Sequence, residues 1–463
     1  MPALAFLASF AALALAQSDG PSVKAGGFAS ERLGYALGWD SADPSAPGVA
    51  RLAGVPSATS LTEANLQLRV RLGEGYDVFT DLSLFMSAQS EATGTLPTAA
   101  GVTNRIEPSE LYANLGFHEH LNGLLGRKRL VWGSGFAWNP TDLLNPLKDP
   151  TDPTLQRAGA WMARLEAPFE RFTLTGLWAP KIVRTQAGLP SRVFYEPGGR
   201  EAMQLFAARV YALVQGADMN LMWFWSNRYA DSLPHSHRFA ASFSRYFLDD
   251  YELHVEGIVQ RGRDTAVVDP TCLPTEGSLA PLLACRATGR PVVTSAGLSD
   301  PSALFIKLVV GTRYSFPDES LLSVEYFFNG PGLDSAQFAD RLQLLDLLPT
   351  LYSLSSASLD LGALLSGEAA AGQPLRFDLR TQRRHYLLLV FQKPRIADDL
   401  TASATAIVGL EGPSALLSPS VSWSVREWLS LSLFAFIPAG SASSEFGSLP
   451  FRFRALFEAR VYY

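Results

Sequence analysis

Apolar and polar residues alternate along most of the chain with a period of two. The pattern is clearest in residues 61–72 (LTEANLQLRVRL), 171–180 (RFTLTGLWAP) and 451–463 (FRFRALFEARVYY). Successive side chains of a β-strand point to opposite faces, so this alternation predicts strands that have one apolar face and one polar or small face. Tight turns join many of these segments in pairs, as in 245–257 and 312–328. The sequence therefore predicts an all-β protein.

The alternating segments suggest about eighteen strands, within a range of 16–18. They fall near 26–38, 61–72, 76–88, 106–117, 120–132, 159–168, 170–180, 202–213, 218–229, 237–248, 251–262, 303–315, 319–329, 380–391, 400–411, 414–425, 428–437 and 451–463. Short turns alternate with mostly longer loops, at 39–60, 89–105, 133–158, 181–201, 263–302, 330–379 and 438–450. All the long loops then lie at one end of the sheet, which predicts a transmembrane antiparallel β-barrel with short periplasmic turns and long outer loops.

A soluble β-sandwich or propeller also has alternating strands. Neither explains why long and short connections keep alternating, and the chain has no repeat of about forty residues, the length of a propeller blade. Aromatic residues at strand ends favour the barrel, because they are typical of the two membrane interfaces. The tryptophans at or near predicted strand ends are Trp39, Trp132, Trp138, Trp178, Trp223, Trp225, Trp423 and Trp428. Taken singly, each could equally be a core residue.

Composition narrows the class further. Of the 463 residues 47% are hydrophobic and only 18% are charged, with a formal net charge of −6. This apolar content excludes a disordered chain, and the lack of any Lys/Arg-rich run argues against nucleic acid as the main partner. Residues 1–16 have the apolar run and small-residue cleavage site of a signal peptide, which leaves 17–463 as a single barrel domain. Beyond that signal, no stretch of about 18 apolar residues predicts a helical membrane span.

The strand at 451–463 resembles the terminal strand of Gram-negative outer-membrane proteins, because it alternates strictly and finishes on an aromatic residue. The resemblance implies an integral protein of the bacterial outer membrane. Its implied partners are the membrane lipid and the barrel assembly machinery, which recognises such strands. The sequence does not indicate an oligomeric state.

Residues 126–153 (GRKRLVWGSGFAWNPTDLLNPLKDPTDP) form the most distinctive stretch, with Gly-Arg-x-Arg followed by Trp-Gly-x-Gly and two Asn-Pro pairs. The stretch resembles a pattern of porin-like outer-membrane families, which implies a channel-like role. We expect the third outer loop, 133–158, to fold into the lumen as a constriction, with acidic and basic side chains facing each other across it. The candidates are Asp142, Lys148, Asp149 and Asp152 in the loop and Arg127 and Arg129 on the wall. The alternative is a loop packed on the rim with its charges in solvent; the aspartate spacing matches no calcium loop.

Further arginines lie in the strand phase that should face inward, since an arginine near the middle of the lipid face costs about 2–4 kcal/mol. They are Arg69, Arg71, Arg380, Arg384, Arg452, Arg454 and Arg460. A basic wall would favour anionic solutes. In an equally weighted alternative, the arginines form a structural network with nearby carboxylates, namely Glu63, Asp81, Glu110, Glu166, Glu325 and Glu458.

Two further features lie in the predicted outer loops. Cys272 and Cys285 favour a disulfide over two free thiols, because no nearby histidine completes a metal site. Leucines at helical spacing in 341–367 predict a short helix that caps the mouth; the sharper alternative is an apolar surface that captures a lipidic substrate. His235-Ser236-His237 is expected in a short outer loop. The sequence assigns it no partner carboxylate, so it does not indicate a catalytic site.

The sequence thus predicts a pore without enzymatic activity, cofactor or metal, for passive or selective diffusion of small polar solutes, which would include anions if the wall is basic. Two alternatives stay open. One is a non-conducting scaffold that binds a surface glycan or a lipidic ligand. The other is a transporter of hydrophobic compounds, although the N-terminal plug of such transporters is missing.

Overall fold

The computed structural model describes residues 22–463 except for 53, 74, 93–99, 146–158, 183–201, 230–232, 264, 276–277, 295–299, 355–381 and 398. The signal peptide predicted at 1–16 lies outside the described residues, as do Lys148, Asp149, Asp152 and Arg380.

Eighteen antiparallel strands form one closed sheet, which confirms the predicted fold and the upper end of the predicted strand count. The strands are β1 (Ser22–Gly38), β2 (Ala58–Gly73), β3 (Tyr76–Gln89), β4 (Gly101–His118), β5 (Leu121–Lys128), β6 (Ala160–Pro168), β7 (Phe172–Ile182), β8 (Ala202–Val214), β9 (Ala217–Tyr229), β10 (Leu233–Phe247), β11 (Tyr251–Arg261), β12 (Leu304–Ser315), β13 (Leu321–Asn329), β14 (His385–Lys393), β15 (Leu400–Gly409), β16 (Ser414–Arg426), β17 (Leu429–Ala439) and β18 (Phe451–Tyr462). Each strand pairs with its sequence neighbours, and β18 pairs with β1 to close the ring. Closure leaves no unpaired sheet edge among these strands.

The two faces of the barrel have opposite polarity. Outward positions carry exposed apolar side chains, such as Leu33 at 51% and Leu221 at 65% exposure. Inward positions hold buried charged groups such as Asp81 and Glu256, both 0% exposed. No helix among the described residues is long and apolar enough to cross a membrane. The apolar outer belt is what a lipid-facing barrel surface requires.

One outward position departs from this apolar belt. Glu31 of β1 lies on the outer face, and its two carboxylate oxygens accept hydrogen bonds from Ser60 Oγ at 2.6 Å and Thr62 Oγ1 at 2.5 Å. These hydroxyls satisfy part of the hydrogen-bonding capacity that lipid cannot provide.

The prediction that tryptophans lie at the membrane interfaces agrees with the structure for three of them and is wrong for two. Trp178, Trp423 and Trp428 are exposed on the barrel, as membrane-interface residues should be. Trp132 is instead 2% exposed inside the barrel, and Trp138 packs against inward residues of the wall. Both belong to a connection rather than to a strand end, so strand-end position alone could not place them.

Among the described residues, three α-helices lie in the outer connections, α1 (Gly48–Leu52), α2 (Ala280–Ala287) and α3 (Ser335–Leu354), together with a short 3-10 helix at Pro270–Cys272. The predicted leucine-rich helix is therefore present, although it begins earlier than 341. Its side chains Leu344, Leu348 and Leu351 are buried against the connection between β11 and β12, so they do not form an open capture surface for a lipidic substrate.

A disulfide joins Cys272 and Cys285 in the connection between β11 and β12, with Cα atoms 5.7 Å apart. Both cysteines belong to the same buried cluster as α3. Asp346 of α3 accepts a hydrogen bond from the Gly48 amide of α1 at 2.8 Å. Because α1 follows β1 and α3 follows β13, this contact joins two separate arcs of the barrel rim.

Candidate pore lining and constriction

A bend at Gly126, near the outer end of β5, turns the three cationic side chains that follow it, Arg127, Lys128 and Arg129, toward the inside of the barrel. Gly126 has a φ of +133°, and a Cβ there would lie 2.6 Å from Tyr112 Cα, so only glycine fits. Beyond the bend, Arg127 donates to Glu107 at 2.9 Å, and the Lys128 ammonium lies 4.2 Å from the centre of the Tyr112 ring.

The inward arginines near the barrel seam are mostly paired with carboxylates. Arg129 lies 3.6 Å from Asp81 and 3.3 Å from Glu110, two of the carboxylates that the sequence offered as partners. Arg32 and Arg460 bind the two oxygens of Glu458, at 2.6 and 2.9 Å. These contacts favour the structural network over a wall of unpaired cations. A network of this kind fixes side-chain positions and neutralises much of the wall charge.

Arg69 and Arg71 lie nearer to solvent. Arg69 is 3.8 Å from Asp77, stacks at 5.1 Å over Phe79 and keeps 41% of its side chain exposed. Arg71 is exposed in the last residues of β2 before the periplasmic turn. Arg454 pairs in register with the inward Phe436, which places it on the lumen side as the sequence predicted.

Two of the arginines predicted for the lumen wall lie elsewhere. Arg384 precedes β14 and binds Asp334 at 3.3 Å and the Gly332 carbonyl at 3.2 Å, so it supports the base of α3 at the rim. Arg452 is exposed, and its guanidinium lies 5.2 Å from the ring of Trp39. A register shift where β18 meets the end of β1 breaks the alternation there and buries Phe451 instead.

The chain that follows β5 enters the lumen. We refer to residues 130–145 as the inward segment. Its backbone amides at Ser134, Gly135 and Thr141 donate to the Glu256 carboxylate of β11 at 2.8, 3.1 and 2.9 Å. The Thr141 hydroxyl adds a fourth bond to Glu256, at 2.7 Å. Glu256 thus binds a turn of the inward segment although it lies more than a hundred residues further along the chain.

A second carboxylate holds the tip of the inward segment. Glu325 of β13 is 0% exposed and accepts the amide of Ala137 at 2.9 Å as well as the amide of Phe136. His254 Nε2 lies 2.9 Å from the same carboxylate. Gly311 of β12 leaves room for this histidine, because a Cβ there would lie 2.6 Å from His254 Cε1.

Aromatic contacts fix the same segment along the wall. The Trp132 ring lies 5.7 Å from Phe224 of β9, and the Trp138 ring stacks 5.0 Å from Phe327 of β13. Trp138 also lies 6.0 Å from Tyr386 of β14. The inward segment, which includes the described part of the predicted loop 133–158, therefore follows the inner wall from β9 to β14.

Asp142 does not project across the lumen. It is 5% exposed, and its Oδ1 accepts the Asn145 side-chain amide at 2.8 Å within the inward segment. Asn145 in turn donates to the Leu130 carbonyl at 2.8 Å. The Asn-Pro-x-Asp-x-x-Asn pattern therefore builds the turn of the segment, a role that residue type alone could not separate from a charged constriction.

Beside the tip of this segment, strands β14 to β17 present no charged side chain to the lumen. The inward positions of β15 to β17 are mostly apolar in the outer half and carry hydroxyl residues in the periplasmic half, whereas the inward residues of β14 are Tyr386, Leu388, Val390 and Gln392. The hydroxyl residues are Thr401, Ser403, Thr405, Ser418, Ser420, Ser422, Ser430 and Ser432.

The His-Ser-His sequence at 235–237 does not lie in an outer loop, contrary to the sequence prediction. Strand β10 begins at Leu233, and the motif continues the alternation: Ser236 is buried, whereas His237 is exposed. The His237 Nδ1 accepts a hydrogen bond from Trp223 Nε1 at 3.2 Å on the outer face. His237 therefore belongs to the aromatic surface of the barrel.

Sequence reasoning missed Glu256. The available signal was the run Tyr-Glu-Leu-His-Val-Glu in β11, which places Glu252, His254 and Glu256 at three successive inward positions. Three ionisable groups in one inward row indicate that something polar lies against that row.

No known protein-family model matches the chain, and no curated protein sequence is similar to it. Solved structures are similar in shape. Acinetobacter baumannii OccAB1 has a TM-score of 0.51 at 9% identity, over 95% of this chain and 96% of that chain. Pseudomonas aeruginosa OccK7 (OpdD) has a TM-score of 0.49 at 10% identity, over 95% and 98%. The likeness to OccAB1 shows a shared fold, the closed antiparallel β-barrel, and the apolar outer belt described above is what a membrane-spanning barrel requires.

Proposed function

We propose that the protein is an outer-membrane pore for small polar solutes. The observation that carries the proposal is the inward segment, which lies along the lumen side of an eighteen-strand barrel and is bound there by Glu256 and Glu325. Barrels of 16–18 strands are wide enough for an aqueous channel. A segment held inside such a channel narrows it without opening the sheet.

The proposed solute preference is for anions. Most inward arginines near the seam are paired, whereas Arg69 and Arg71 on β2 keep much of their side chains exposed on the inward face. Their positive potential would attract anions to the periplasmic half of the lumen. Lys148, Asp149, Asp152 and Arg380 stay predictions as constriction residues.

The test is reconstitution in planar bilayers. We expect stepwise conductance and, in a KCl gradient, a reversal potential that reports anion preference. The double change Arg69→Glu with Arg71→Glu should shift that potential toward cations. Arg245→Glu is the matched control, because Arg245 lies on the outer face, where its guanidinium is 5.0 Å from the Phe247 ring.

A bilayer that stays silent with folded protein would overturn the pore and leave a non-conducting binding barrel. If the protein does conduct, liposome swelling with solutes of graded size and charge measures the size limit of the pore. Contact with lipid is supported by the outward apolar belt, and insertion by the barrel assembly machinery stays a prediction.

A further inference from the structure

We propose that Glu256 and Glu325 are positioning residues that hold the inward segment against one side of the lumen and so set the width of the pore. The inference rests on the proposed function, because it assigns these two carboxylates a role in that pore.

The hydrogen bonds to the inward segment come from its backbone. Five consecutive or near-consecutive amides, at residues 134–137 and 141, donate to the two carboxylates. None of these amides belongs to a helix or strand, so the carboxylates satisfy donors that would otherwise need water. Charge-assisted bonds from amides to a buried carboxylate are stronger than bonds between neutral groups.

The hydrogen bonds also stabilise the carboxylates, not only the amides of the inward segment. Within the part of the chain that the structure describes, no lysine or arginine forms an ion pair with Glu256. The donors of the inward segment therefore replace a counterion for Glu256. A carboxylate that is 0% exposed needs such donors to remain charged.

The sequence of the segment fits this close approach. Gly133 has a φ of +115°, and a Cβ there would lie 2.6 Å from both Glu256 Oε1 and Thr141 Oγ1. The carboxylate thus occupies the space that a side chain at 133 would need. This explains the first glycine of the Trp-Gly-x-Gly pattern; the second, Gly135, is needed because a Cβ there would collide with the Trp138 carbonyl oxygen.

His254 supports the second contact. Its Nε2 lies 2.9 Å from Glu325 Oε1, and its Nδ1 lies 3.7 Å from Glu252. The histidine therefore sits between two carboxylates and orients the one that binds the segment. Glu252 also lies 3.5 Å from Arg313, whose guanidinium is 5.7 Å from the Phe136 ring, so Glu252 belongs to the same supporting network.

The experiment compares Glu256→Gln, Glu325→Gln and the control Glu63→Gln in the full-length barrel. Glu63 of β2 is also a buried inward carboxylate, but it accepts the Ser83 hydroxyl at 2.9 Å, and none of the described hydrogen bonds joins it to the inward segment. Glutamine keeps the side-chain volume but turns an NH2 group toward the amide donors, which removes half of the acceptors. Site-resolved hydrogen exchange should rise at least tenfold at 134, 135 and 141 in Glu256→Gln, and at 136 and 137 in Glu325→Gln. Both variants should also give a larger and noisier single-channel conductance than wild type, whereas Glu63→Gln should match wild type.

Heat-modifiable gel mobility checks that each variant has folded. If Glu256→Gln does not fold, Thr141→Val is the milder test, because it removes only the hydroxyl, which lies 2.7 Å from Glu256 and 2.9 Å from the Trp132 carbonyl, and leaves the three backbone donors in place. Unchanged exchange, or raised exchange with unchanged conductance, would overturn the proposed positioning role. A silent wild-type channel would instead overturn the pore and the proposed role in its width together, so the two failures are distinguishable.

Discussion

The outer loop between β17 and β18 should loosen from the barrel as the pH rises through 7. Glu445 of this loop is buried, and its carboxylate accepts the Gln382 amide at 2.7 Å and the Tyr386 hydroxyl at 2.5 Å. Burial raises the pKa of Glu445 from 4.5 to about 7, while these two bonds and the charge of Arg383 act in the opposite direction. The pKa returns to its ordinary value when the loop leaves the barrel.

The size of the effect follows from the two pKa values. The rise from 4.5 to about 7 is about 2.5 pH units, and each unit corresponds to about 1.4 kcal/mol. Because the pKa is raised in the docked loop, its contribution is fully present below pH 4.5 and is lost as the pH rises through 7. Undocking should thus become easier by about 3 kcal/mol between pH 4.5 and pH values well above 7.

Hydrogen exchange at Gly447 and Leu449 measures this undocking, since both lie in the same loop and Leu449 is 3% exposed. After division by the intrinsic rates, protection should fall steeply between pH 5 and 8 in the wild type. Glu445→Gln cannot ionise, so its protection should be flat over the same range. Equal slopes in the two proteins would refute the assignment to Glu445, and flat protection in both would refute the whole argument.

Three further predictions test other parts of the fold. Leu33→Arg puts a charge on the lipid face and should lower the free energy of unfolding in bilayers by up to about 2–4 kcal/mol in urea titrations, whereas Leu33→Phe should have little effect. The double change Cys272→Ser with Cys285→Ser opens a loop with a sequence separation of 13, which should cost about 3 kcal/mol locally and expose that outer connection to protease while the barrel keeps its gel mobility. Trp138→Ala removes a stacked contact worth about 0.5–1.5 kcal/mol beyond its buried area and should increase conductance noise; unchanged noise would show that the ring does not hold the segment.

The strand count was predictable because lipid on one side and lumen on the other impose a period of two on every strand. That constraint is local, so it can be read from one sequence without knowing which strands are neighbours. It fails at particular places. Gly126 ends the alternation of β5, and the register shift near Phe451 inverts it at the start of β18.

The candidate site was only partly predictable. The sequence indicated that the stretch after β5 has a special role, because its glycines and Asn-Pro pairs do not fit a strand. It could not show that the stretch binds Glu256 and Glu325, because those contacts join residues 115 and 188 positions apart. Nor could the sequence distinguish an arginine that pairs with carboxylates, such as Arg129, from an exposed one, such as Arg71, since both were predicted at inward positions.

The contact between Arg32 and Glu458 joins residues 426 positions apart. Formed alone from an open chain, such a contact would cost about 5 kcal/mol in loop-closure entropy. Each hairpin between neighbouring strands closes only a short loop, so sequential addition of strands brings the two ends together gradually. The seam between β1 and β18 should therefore form last during assembly and separate first under mechanical or chemical stress, which makes it the natural place to follow ring closure in time.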